Sequence, residues 1–141
     1  MQDGYEALER HVVDKAEAIK EKYGRFIDMD VLEQILNDRE FVKHSTRIEF
    51  DSKRVKDGFF AVTEKVSSDP IDGYVIYVHE HFKNKTGDVP ALVLYHLVSI
   101  NYGDFATCKE AELFGATVLG MDQEYYYSLL CRLADSIEKS N

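Results

Sequence analysis

Four side chains of this 141-residue chain could together hold a transition metal: His79, His81, His96 and Glu110. His79-Glu-His81 falls at the end of a strand-like run. Residues two apart on a strand share a face, so both imidazoles could point the same way. With His96 and Glu110 they would supply nitrogen and oxygen donors of the kind zinc takes. The sequence alone does not bring the four together, and each has a plainer explanation. His79 and His81 read as a solvated strand end beside Lys83 and Lys85, and His96 as a packed histidine of a buried helix. Glu110 reads as the reciprocal partner of Thr107 in a capping box.

Other chemistry-bearing residues are fewer. Cys108 and Cys131 lie in segments that read as helices, with no CxxC or Cys/His spacing of the structural-zinc kind. Either thiol could act as a nucleophile beside a distant histidine, but helix packing accounts for both. The strings GxSxG, GxxxxGK and GxGxxG are absent from the sequence. Tyr125-Tyr126-Tyr127 is the remaining unusual string. Successive helical residues point about 100° apart, so at most two of the three can be buried on one face. At least one ring must be wet, and tyrosine is a common interface anchor. Tyr125 and Tyr127 are therefore the candidate partner-binding residues, the bland alternative being one exposed tyrosine of no consequence.

The elements that must position these residues follow from periodicity. Leu8, Val12, Ala16, Ile19 and Tyr23 recur at three- and four-residue steps, predicting a helix over Tyr5–Lys22 that stops at Gly24. A short helix follows from Asp30, with Glu33 reaching back in a capping-box-like start. Phe41–Phe50 alternates polar and apolar residues, the rhythm of a half-buried strand or a bent pair. Gly58–Val66 and Tyr74–His79 read as two more strands around the turn cluster Ser67–Gly73. Pro90 sits at the first turn of a helix that is apolar nearly all round to Ile100, and hence central and buried. Thr107 opens a further helix to Gly120, and Asp122 caps the last. The expected fold is α+β: one domain over residues 1–141, helices packed on a small antiparallel sheet, with the buried central helix near 90–102.

Composition sets the class. The chain is 45% hydrophobic and 30% charged with two prolines, which excludes a disordered or low-complexity protein. No apolar run approaches the ~18 residues of a membrane span, and the start MQDGYEALER does not read as a signal peptide. No membrane association is expected, and the cysteines are expected reduced in the cytoplasm. Lys and Arg total 17 against 26 Asp and Glu, a net charge of −9. From Thr86 to Glu138, Lys109 and Arg132 face eight acidic residues. Such a surface repels phosphate backbones, so direct nucleic-acid binding is not expected. It suits a basic protein partner, or simply keeps the protein in solution.

The order of elements, with several strings, resembles the ImmA/IrrE-type zinc metallopeptidases. Lys22-Tyr23-Gly24 is similar to the family's "YG" segment, Gly58-Phe59-Phe60-Ala61 to its "GF" strand, and Tyr74–Val78 to the strand that follows. Glu110-Ala-Glu-Leu-Phe-Gly-Ala-Thr-Val-Leu119 resembles the family's E-A-(D/N)-x-F-A-A-x-L-L string. The resemblance spans about Ala7 to Leu119. It implies a zincin-like fold and a metal-binding HExxH helix, in which two histidines grip zinc and the glutamate serves as general base.

Here the chain departs from the pattern. The matching string is His96-Leu97-Val98-Ser99-Ile100, so Leu97 stands at the base position and Ile100 at the second ligand position. Glu110, or Cys108, matches the region of the third ligand. The zincin-type mechanism is not available to these residues. The expectation is a non-catalytic, metallopeptidase-like binding or regulatory domain with a protein partner, no catalytic residue and no bound metal. Two alternatives stay open: a zinc-dependent hydrolase with a rearranged site of His79, His81, His96 and Glu110, and an acidic inhibitor that docks a basic protein.

Overall fold

The computed structural model describes residues 2–103 and 106–139. Five helices and a three-stranded sheet follow in the order α1 (Gln2–Tyr23), α2 (Met29–Leu36), β1 (Thr46–Phe50), β2 (Ala61–Lys65), β3 (Tyr74–Val78), α3 (Val89–Tyr102), α4 (Cys108–Leu119) and α5 (Gln123–Lys139). The fold is α+β. Short 3-10 turns lie at Ser52–Arg54, Pro70–Asp72 and Glu80–Phe82.

The centre of the molecule is α3. Its segment has no polar stripe, and nine of its residues are buried, Leu92, Val93, Leu94 and Leu97 completely. Burying a side chain of that size is worth about 1.5–3 kcal/mol, so this helix anchors the core. It lies against α4 on one side and against β2 and β3 on the other, and α4 also packs on α1 and α5. The α4–α5 contact depends on Gly115, where an added Cβ would collide with the Tyr126 ring. Tyr126 is fully buried there, and its hydroxyl donates to the Ala91 carbonyl of α3 at 2.6 Å.

The sheet differs from the antiparallel one expected. Its strand order is β1-β3-β2, with β2 antiparallel to the central β3 but β1 parallel to it. The cause is the loop after β1. It skips one strand position before β2 begins, and β3 then turns back from β2 into the vacant slot, which sets it parallel to β1. Gly73 makes the turn at φ +97°, where a side chain would also strike the Ser45 carbonyl. That carbonyl accepts from the Tyr74 amide at 2.8 Å, fixing the start of the parallel pair.

Two boundaries also moved. The alternating run from Phe41 enters the sheet only at Thr46. Before that, the Phe41 and Val42 amides donate to the Asp38 carbonyl, while the Asn101 side chain accepts from Lys43 N and donates to Phe41 O. With those groups engaged, Phe41, Val42 and Lys43 are held against α3 and the preceding turn rather than in the sheet. The second helix is capped by Asp28 rather than Asp30, its carboxylate accepting from Val31 N at 2.9 Å. No helix among the described residues is long and apolar enough to cross a membrane.

Candidate functional site

A cleft of about 300 Å³ opens where the segment leading into β2 meets α3, α4 and α5. Gly58, Phe59, Phe60 and Ala61 form one side, and Tyr127, Leu130, Cys131 and Ala134 of α5 face them. Tyr95 and His96 of α3 and Glu112 of α4 complete the lining. A larger concavity of about 840 Å³ lies over α1 and α2, but it is an open groove walled by charged and polar side chains. Several of those are already paired, Lys22 and Tyr23 with Asp38 at 2.7 Å each. Of these two, the smaller cleft has the shape and apolar character of a ligand site.

His96 sits in it with most of its ring buried. Its Nδ1 is 3.1 Å from the Thr63 hydroxyl of β2. Burial pushes its pKa down to about 4, so the ring is neutral at pH 7. Three rings of the lining meet at steep angles. Phe60 and His96 are 5.8 Å apart at 89°, Phe60 and Tyr95 6.0 Å apart at 76°, and Tyr95 and His96 5.7 Å apart at 75°. Phe59 and Tyr127 lie at the mouth, 60% and 54% exposed. Burial holds the Tyr95 hydroxyl well above its ordinary range, and its contact with Cys108 adds to the effect.

The other expected site residues go elsewhere. The strand ends at Val78, so His79 and His81 do not share a strand face. His79 begins the following 3-10 turn, and its Nδ1 accepts from His81 N at 3.1 Å. The His81 Nε2 lies 3.1 Å from both the Ser136 hydroxyl and the Lys85 ammonium. Burial lowers the His81 pKa, and the charges of Lys85 and His79 lower it further. Glu110 is buried in its capping box, accepting from the Thr107 hydroxyl at 2.8 Å and from the Thr107 amide at 3.2 Å. Among the described residues no three His, Cys, Asp or Glu side chains come together as a metal centre requires. Leu97 and Ile100 are in the core, 0% and 4% exposed.

A zinc ion would therefore find His96 as a single donor on this helix. The residues present do not fit the metal that the HExxH pattern implies.

Tyr125 and Tyr127 both have the wet ring expected, and Tyr126 between them is buried. They do not form one surface. Two residues apart on a helix puts them about 200° apart. Tyr127 joins the cleft, whereas Tyr125 stands under the Arg132 guanidinium, 5.9 Å from its ring centre. Cys108 and Cys131 are exposed, unbridged thiols, and Cys131 reaches the cleft lining.

Phe59, Phe60, Tyr95 and Glu112 line the cleft, although their types and spacing marked none of them as a candidate site residue. The adjacent aromatic pairs Phe59-Phe60 and Tyr95-His96 were the available signal, since neighbouring rings in a strand entry and a buried helix cannot all face the core. Compared with known proteins, the chain matches no family model, no curated protein and no solved structure.

Proposed function

We propose that this chain is a non-catalytic binding domain built on a metallopeptidase-like scaffold. One observation carries the reading. The helix that would bear HExxH lies beside a ligand-sized cleft and offers it His96, while Leu97 and Ile100 are sealed in the core. A cleft with a neutral imidazole, one carboxylate (Glu112) and aromatic walls can bind, but among the described residues no group of three metal donors stands beside that carboxylate to activate a water. The partner proposed is a protein, in keeping with the net charge of −9 and the exposed aromatic residues at the cleft mouth. The setting proposed is the cytoplasm, where the exposed Cys108 and Cys131 thiols would stay reduced.

Zinc titration of chelator-treated protein tests the reading. The expected result is no stoichiometric binding that depends on His96, together with no zinc-stimulated cleavage of a mixed peptide library. One zinc per chain, lost in His96→Ala and accompanied by peptide cleavage, would overturn it.

A further inference from the structure

We propose that the cleft binds an alkylated ammonium group, carried on the aliphatic stem of a methylated lysine in a protein partner. This deepens the binding-domain reading by naming what the cleft takes. The first support is the ring geometry. Phe60, Tyr95 and His96, all in the cleft lining, have centres 5.7–6.0 Å apart and planes 75–89° from one another, in T-shaped contacts. Phe59 and Tyr127 add two exposed rings at the mouth. Ring faces carry partial negative charge, so a cleft with this many aromatic side chains in its lining attracts a cation to whichever faces it leaves open. An alkylated ammonium loses less hydration than a bare one on entering such a cleft, and its methyl groups also suit the apolar lining.

The second support is charge. Glu112 is the one carboxylate lining the cleft, and His96 beside it is neutral at pH 7. Its carboxylate accepts from the uncharged Gln123 amide at 3.4 Å, and no ion pair to it is present among the described residues. The nearest lysine on the same helix, Lys109, is bound to Glu9 of α1 at 2.9 Å. A cation entering the cleft would meet a carboxylate that no ion pair among the described residues engages. A volume of about 300 Å³ is at the small end for ligand sites, which suits a head group and its stem rather than a larger molecule.

The test compares three probes by calorimetry and by NMR shifts of the cleft resonances: choline, its uncharged isostere with carbon in place of the quaternary nitrogen, and a short peptide carrying one trimethyllysine. The expected result is that choline binds about tenfold or more tightly than the isostere, and the peptide more tightly than choline. Glu112→Gln is expected to weaken choline about fivefold and leave the isostere unchanged. Tyr127→Ser, an exposed position where folding is not at stake, should weaken choline and peptide alike. Equal binding of choline and isostere, or no choline-induced shift in the cleft, overturns the proposal. Choline binding as tightly as the peptide overturns the protein source and assigns the cleft to a free small cation. These outcomes are independent of the zinc titration, so the ligand class can fail while the non-catalytic reading stands.

Discussion

Replacing His96 by Gln should make the protein less sensitive to acid. In the folded chain His96 is held near a pKa of about 4, against an ordinary value of 6.5. The unfolded chain therefore takes up the proton first as pH falls. The stability linked to this residue is fully present above pH 6.5 and drains away as the pH drops towards 4. At about 1.36 kcal/mol for each tenfold difference in proton affinity, the loss reaches about 3 kcal/mol at pH 4. Water at the ring's exposed edge trims this to about 2 kcal/mol. Gln keeps a polar contact with the Thr63 hydroxyl but cannot titrate. Urea unfolding of wild type and His96→Gln at pH 7, 6, 5 and 4 measures the effect. The stability gap should shift by about 2 kcal/mol in favour of the variant between pH 7 and pH 4. Asp38, whose carboxylate is held down to about 2 by its hydrogen bonds from Lys22 and Tyr23, responds equally in both proteins and cancels. Parallel curves across the range would show that the ring is not desolvated as the cleft geometry requires.

Three further outcomes follow from the packing. Gly115→Ala drives a methyl group into the buried Tyr126 ring and should destabilise by about 1–3 kcal/mol in thermal or urea unfolding; an unchanged midpoint would mean the α4–α5 contact is looser than described. Thr107→Ala removes the cap of α4 and leaves the buried Glu110 carboxylate without its hydroxyl donor, a loss of about 1–2 kcal/mol by the same measurement. Restoring the motif by Leu97→Glu with Ile100→His should unfold the protein rather than create a hydrolase. The glutamate would be placed at a position with no exposure, and circular dichroism would register the collapse. A folded, zinc-dependent peptidase from that double variant would refute the assignment of Leu97 and Ile100 to the core.

The helices were legible because their signals are local. Val12, Ala16 and Ile19 recur at helical spacing, and all three are completely buried. Thr107 and Glu110 form the capping box that their spacing implies, and Gly120 ends the helix in a left-handed conformation. The parallel β1–β3 pair was not legible, because parallel or antiparallel pairing depends on which slot the chain fills after the loop. Residues 51–60 do not encode that choice in their periodicity. Nor could periodicity show that Asn101, far along the chain, takes the backbone groups of Phe41 and Lys43 and delays the strand.

The site divides along the same line. That Leu97 and Ile100 are unfit for metal chemistry can be read from residue type alone, since no arrangement in space gives a leucine a lone pair. Whether His79, His81, His96 and Glu110 meet was a question of tertiary distance. Each is engaged locally or by a different element: His79 by the turn it begins, His81 by Ser136 and Lys85, His96 by Thr63, and Glu110 by Thr107. The cleft inverts the usual order of inference from motifs. Its walls come from two adjacent aromatic pairs, Phe59-Phe60 and Tyr95-His96, whose types suggest core. Adjacent residues on a strand entry or a helix point in different directions, so one ring of a pair can pack inward while its neighbour is left to line a surface. An aromatic doublet at the edge of a core therefore marks a place where a pocket can form, even when no catalytic string survives. Here the two doublets meet each other across β2 and α3, and Glu112 supplies the charge that gives the resulting cleft a chemical preference.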